Sequence, residues 1–213
     1  MIILDGKKTS NDIKSEIAEE VKKIIESANR PPHLAAVIVG SDGASLTYVG
    51  SKVKACEKVG YESTLIKLPE ETTEDELLNQ VEELNKNDSI DGYIVQLPLP
   101  SHIDTQTILM AVDPDKDVDG FHPTNFGKMS LNLPTFISAT PSGIIELLKR
   151  YKVQTEGKNT LVIGRSDIVG KPISILMGLK TNPGNSTVTL AHSRTSNIKN
   201  LTLEADIIIS ALG

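Results

Sequence analysis

The chain of 213 residues has a single cysteine, no tryptophan, three phenylalanines and four tyrosines. Cys56, being alone, can form neither an intrachain disulfide nor a cysteine-based metal cluster, so a reducing compartment, the cytoplasm, is expected. So few aromatics leave no basic–aromatic surface of the kind that stacks single-stranded nucleic acid. The formal charge of −6 points the same way, and no block of like charge forms a tail. No apolar run approaches the ~20 residues that a membrane span requires. The opening MIILDGKKTSND turns polar too soon to read as a signal peptide. Also missing are G-x-S-x-G, H-E-x-x-H and a Walker loop. The four histidines, His33, His102, His122 and His192, show neither paired spacing nor cysteine companions. Nucleophilic catalysis by Ser or Cys is therefore unsupported, and no metal is expected.

What is present is alternation. Asp12 to Glu26 carries Ile13, Ile17, Val21, Ile24 and Ile25 on one helical face. Leu34 to Val39 is a continuous apolar run that stops at Gly40, the pattern of a strand buried on both faces. Residues 44–59 read as helix and 63–68 as strand. Thr73 and Glu76 make a capping box for a helix running to about residue 87. Tyr93 to Gln96 is a further strand, ended by Pro98 and Pro100. Strands alternating with helices predict parallel pairing, hence a three-strand α/β unit. Residues 127–140 lose periodicity and read as a linker, with Thr140-Pro141 as N-cap and first position of a helix to Arg150. A second α/β unit follows: strand 160–164, helix 170–179, strand 187–190 and strand 206–211.

Four constellations bear on chemistry. Ser45, Tyr48 and Lys52, at i, i+3 and i+7, share one helix face. Spacing alone favours a lysine that snorkels at the rim of an apolar stripe; a desolvated lysine there would serve as acid or base, and a tyrosine ring would stack on a flat heterocycle. Gln96 stands at the carboxyl end of its strand, where α/β sheets place ligands, or else simply bonds a turn. Asp115, Asp117 and Asp119 alternate before Gly120, but the glutamate of a calcium loop does not follow; the run reads as an acidic turn. In LVIGRSDIVGKPISILM, a β-branched strand meets Gly164, a polar turn and Gly170 at a helix start. The second glycine of G-x-G-x-x-G is replaced by Arg165 and Ser166, whose side chains can themselves reach a phosphate. The next strand ends in Ala191-His192-Ser193-Arg194. Without an acid for the ribose hydroxyls, NAD is disfavoured, and Ser193 or Arg194 with Arg165 would suit a 2′-phosphate.

The wording GRSDIVGKP, with SLTYVGSKVKACEKVG, DGYIVQLPLP, DKDVDGFHPTNFGKM, ATPSGIIELL and TVTLAHSRT in order, resembles the methylenetetrahydrofolate dehydrogenase/cyclohydrolase family along the whole chain. The resemblance implies two α/β domains: a three-strand folate domain over 1–138 and a Rossmann-like NADP domain over 139–213. It implies Tyr48 as the pterin-stacking ring and Lys52 as the catalytic lysine, held by a hydrogen bond to Gln96. A neutral amide suits that task, because a carboxylate would stabilise the ammonium. Ser45, Leu97, Pro98 and Asp119 would complete the folate site, Asp119 meeting the amino-pyrimidine edge in the cleft between domains. Gly164, Arg165, Ser166, Gly170, Ser193 and Arg194 would hold NADP. Ala139 stands where the family often has cysteine.

The implied activity is NADP-dependent oxidation of 5,10-methylenetetrahydrofolate to the methenyl form, then hydrolysis to 10-formyltetrahydrofolate, by a homodimer. Alternatives are another two-domain NADP enzyme of the shikimate-dehydrogenase kind, or a folate-binding fragment without catalysis. The second unit has three strands where a dinucleotide-binding sheet has roughly six. In the family a further segment completes that sheet, so this chain reads as C-terminally truncated and is expected to be inactive alone.

Overall fold

The structure, a computed structural model, describes residues 1–41 and 43–212, apart from the side chains of Ala44 and Ser45. It divides into two compact units, Lys7–His122 and Met1–Gly6 with Pro123 onward. Among the described residues no helix is long and apolar enough to cross a membrane.

The first unit takes most of α1 (Gly6–Glu26), then β1 (His33–Val39), α2 (Gly43–Val59), β2 (Glu62–Leu68), α3 (Glu74–Lys86), β3 (Gly92–Val95) and α4 (Thr105–Ala111). The strands are parallel in the order β2-β1-β3, so β1 is central. Its apolar run is explained by two-sided burial. Ala35, Val37 and Val39 face a core shared with Leu77, Val81 and Leu84 of α3 and Ile108 of α4. Ala36 and Ile38 face the opposite way, onto Val49, Leu46 and Val53 of α2. Side chains alternate across a strand, so a strand covered by helices on both faces must be apolar at every position. The expected capping box is present: the Thr73 hydroxyl accepts from Glu76 N–H while the Glu76 carboxylate accepts from Thr73 N–H.

The second unit contains α5 (Pro123–Ser130), α6 (Ala139–Arg150), β4 (Asn159–Ile163), α7 (Gly170–Gly178), β5 (Thr187–Ala191), α8 (Ile198–Glu204) and β6 (Ile207–Ser210). Its strands are also parallel, in the order β5-β4-β6. Val162 and Ile209 pack with Ile173, Leu176 and Met177 of α7, Leu148 of α6 and Met129 of α5.

Three differences from the sequence reading have physical causes. Part of the supposed linker is α5, which buries Met129 and packs on α7, so the division by contact falls at 122/123 rather than 138/139. Helix α6 begins two residues earlier than expected, with Ser138 rather than Thr140 before it, and the Ser138 carbonyl accepts from Ser142 N–H at 3.0 Å. Pro141 is still tolerated, because first-turn N–H groups have no intrahelical partner to lose. The short helices α4 and α8 escaped detection; at seven residues each they are too brief for a helical stripe to declare itself.

Candidate active site and dinucleotide loop

Parallel strands deliver their carboxyl ends to one edge, and a ligand crevice forms where the strand order reverses. In each unit the central strand is flanked by the next two strands on opposite sides, so each has such a reversal.

In the first unit the loop 113–122 crosses the start of β3. Tyr93 N–H donates to the Lys116 carbonyl at 2.9 Å, and Tyr93 bridges Asp117. Gly92 permits this, since a Cβ there would lie 2.3 Å from Val118 Cγ1. Asp117 is buried and accepts from His122 N–H at 2.8 Å, which anchors the far end of the loop. Asp119 is thereby held beside α2. From that helix Lys52 places Nζ 3.4 Å from Asp119 Oδ1 and 4.7 Å from the centroid of the Tyr48 ring. The ring is 52 % exposed, whereas the Lys52 and Asp119 side chains are 24 % and 18 % exposed. Burial pushes the Asp119 carboxyl above its usual range; Lys52 opposes the shift and Asp117 adds to it.

The structure thus brings together Tyr48, Lys52 and Asp119. Gln96 does not take the expected part. Its side-chain amide donates to the neighbouring Leu97 carbonyl at 2.6 Å, and the lysine's hydrogen-bonding partner among the described residues is the carboxylate of Asp119. A short amide at a strand end finds the adjacent carbonyl more readily than a group on another element. Leu97 is half-buried and Pro98 exposed. Pro98, Gly40, Ser41 and Glu70 line a cavity of about 340 Å³ at the carboxyl ends of the strands. The side chain of Ser45 lies outside the described residues. Nothing in the alternation of the three aspartates singles out Asp117 as the buried anchor, since its burial depends on Gly92 and Tyr93 on a distant strand.

In the second unit, Gly164 has φ +118° and Gly170 starts α7. A Cβ on Gly164 would lie 2.2 Å from the Ala211 carbonyl oxygen, and one on Gly170 2.1 Å from that of Gly164. Both glycines serve backbone approach, as the strand–turn–helix pattern demands. Ser166 departs from expectation. Its hydroxyl accepts from Val169 N–H at 3.2 Å and Gly170 N–H at 3.3 Å, so it closes the start of the helix on itself. Arg165 remains exposed beside it. The adjoining loop after β5 is a tight turn: His192 N–H donates to Thr195 Oγ1 at 2.9 Å and Thr195 N–H returns to the His192 carbonyl at 2.8 Å. Ser193 and Arg194 project from it, exposed, and no carboxylate ends the strand. The two loops are adjacent, since Gly164 N–H donates to the Ala191 carbonyl at 2.8 Å. Two guanidinium groups and a hydroxyl, with no acid among them, are a donor set for phosphate.

Comparison with known proteins agrees with both halves of this description. Residues 4–119 match the family model for the catalytic domain of tetrahydrofolate dehydrogenase/cyclohydrolase, and 138–213 match its NAD(P)-binding domain. The chain belongs to the tetrahydrofolate dehydrogenase/cyclohydrolase family. It is 69 % identical over 213 residues to the bifunctional protein FolD of Flavobacterium psychrophilum, covering 100 % of this chain and 72 % of that one. Among solved structures, the bifunctional FolD methylenetetrahydrofolate dehydrogenase/cyclohydrolase of Campylobacter jejuni has 42 % identity and a TM-score of 0.95, covering 100 % of this chain and 74 % of that one. The Trypanosoma brucei enzyme, solved with NADP cofactor and an inhibitor, has 34 % identity and a TM-score of 0.92, with 100 % and 72 % covered. The two-domain α/β architecture read from the sequence is that of the family. The shikimate-dehydrogenase alternative is not favoured, since both units match models of the folate family.

Proposed function

We propose that this chain carries the family's two linked reactions: NADP-dependent oxidation of 5,10-methylenetetrahydrofolate to 5,10-methenyltetrahydrofolate, and hydrolysis of that product to 10-formyltetrahydrofolate. The carrying observation is the cluster of Tyr48, Lys52 and Asp119, a stackable ring, a titratable amine and a carboxylate gathered on one unit. Folate chemistry falls to residues 1–138 and dinucleotide binding to 139–213.

Arg165, Ser193 and Arg194 hold the 2′-phosphate of NADP, and Gly164, Ser166 and Gly170 shape the turn that receives the dinucleotide. NADP, when bound, supplies the hydride acceptor. The chain's own part in oxidation is positioning, because the iminium product is stabilised by its own nitrogen and needs no side-chain acid. In hydrolysis, water adds to the methenyl carbon and the bond from that carbon to N5 breaks. Lys52 takes a proton from the attacking water and returns one to N5, leaving one net proton in solvent. Tyr48 stacks on the pterin, Asp119 accepts from its amino-pyrimidine edge, and Ser45, Gln96, Leu97 and Pro98 border it.

The net negative charge and single cysteine support a cytoplasmic enzyme that binds no nucleic acid; by family analogy it works as a homodimer. A spectrophotometric assay with methylenetetrahydrofolate and either NADP or NAD tests the reading. With the chain extended to the full length of its relatives, reduction of NADP followed by decay of the methenyl absorbance is expected; residues 1–213 alone are expected to show neither. Absence of both in the soluble, folded extended chain would leave only folate binding.

A further inference from the structure

In the first unit, both surfaces that a pterin would use are already occupied from within. The Lys52 ammonium lies over the Tyr48 ring at 4.7 Å and within 3.4 Å of Asp119 Oδ1, so one cation takes the aromatic face and the carboxylate together. An ammonium over a ring and beside a carboxylate satisfies the same demands as a flat, N–H-bearing heterocycle: positive potential toward the ring face and donors toward the oxygens. Lys52 reaches this place on a flexible stem, whereas Asp119 is fixed by the anchored loop and Tyr48 by its helix. The movable member is the lysine.

We propose that Lys52 is an internal competitor for the folate site, so that it determines ligand specificity as well as serving the hydrolytic step. A ligand displaces it only by replacing both interactions at once. A molecule with a flat ring but no paired N–H donors leaves the Asp119 contact to the lysine. One with donors but no ring leaves the cation on Tyr48. Displacement also delivers the amine, free of its carboxylate partner, into the site just as the substrate arrives. The inference rests on the folate reading and deepens it. It also accounts for Lys52 being partnered by Asp119 while Gln96 bonds the Leu97 carbonyl. The titratable groups around Lys52 are Asp119 and Asp117 from the crossing loop and Tyr48 and Cys56 from its own helix. Among the described residues, Asp119 forms an ion pair with it at 3.4 Å.

The test is binding of tetrahydrofolate, which carries the pterin but no one-carbon bridge to react, measured by calorimetry on the intact chain. An internal competitor lowers apparent affinity by the fraction of time it occupies the site. Removing it in Lys52→Met should therefore tighten binding, by about five-fold if the pair has the strength usual for a partly exposed contact. Lys52→Gln, which is less apolar and keeps a similar reach, should tighten it in the same direction. The gain should vanish when Lys52→Met is combined with Asp119→Asn, because the competition needs the carboxylate. Weaker or unchanged binding by both lysine variants, with wild-type binding intact, overturns the inference and leaves the folate reading standing. Failure of the wild type and every variant to bind tetrahydrofolate overturns both.

Discussion

Lys52 Nζ and Asp119 Oδ1 lie 3.4 Å apart, although 67 positions separate them in the chain. The contact exists because two constraints converge. Helix α2 packs Val49 and Val53 onto the sheet, which turns Tyr48 and Lys52 toward its rim. The loop after α4 is tied across β3 through Tyr93 and Asp117, which brings Asp119 to the same place.

If Lys52 handles protons in the hydrolytic step, Lys52→Met should lower methenyltetrahydrofolate hydrolysis by at least about two decades, the usual scale of general acid–base catalysis. The assay should start from pre-formed methenyltetrahydrofolate, so that hydride transfer is bypassed. Retained tetrahydrofolate binding would assign the loss to chemistry. Undiminished hydrolysis would remove Lys52 from the mechanism.

Cofactor choice is expected to rest on Arg165, exposed beside the turn after β5. Arg165→Ala should weaken NADP by about one to two decades, the worth of a charge-assisted contact, and NAD far less. Dissociation constants for both dinucleotides decide the matter. Equal losses would mean that Arg165 reads the shared pyrophosphate or merely supports the turn.

Ser166 makes a contrasting case. Its hydroxyl accepts two N–H groups in the turn that leads into α7, so Ser166→Ala should cost about 1 kcal/mol of unfolding free energy, as loss of an intramolecular hydrogen bond does. Urea denaturation without any dinucleotide reads this directly. An unchanged midpoint would show that water replaces the hydroxyl at no cost.

The pH dependence of Asp119 has a definite sign. Burial raises its carboxyl above the usual range in the folded chain, and Lys52 only partly opposes this. A raised folded-state value favours the native form while the group is protonated, and the advantage is lost as pH rises through that value. Asparagine cannot ionise. The stability of Asp119→Asn relative to the wild type should therefore increase from about pH 4 toward neutrality, through and above the ordinary carboxylate range. Paired urea titrations at several pH values test it; a difference that does not vary with pH would contradict the burial of the charge.

The capping box makes clear why some of this was legible from residues alone. Thr73 and Glu76 need only each other and the backbone between them, so three positions of spacing suffice to specify the geometry. The same holds for Gly170, whose close approach to the Gly164 carbonyl arises within one strand–turn–helix unit, whereas Gly164 itself meets Ala211 at the end of a strand remote in sequence. Gln96 differs: a strand-end amide has several acceptors within reach, and the nearest one, Leu97, took it. Helix α5 was hidden for another reason, since eight residues with Gly127 inside them carry little helical signal until Met129 finds the α7 core.

Local patterns in the sequence determined the alternation of strands and helices, the two-sided burial of β1, the glycine turn and the helix face that carries Tyr48 and Lys52. Each of these follows from periodicity or backbone sterics acting over a few residues. Tertiary structure alone decided which carboxylate meets Lys52, which of three neighbouring aspartates is buried, and that Ser166 closes its own helix. Those outcomes depend on distances between elements remote in sequence, and on competition among several polar partners. A one-dimensional pattern supplies candidates for such contacts, and packing chooses among them.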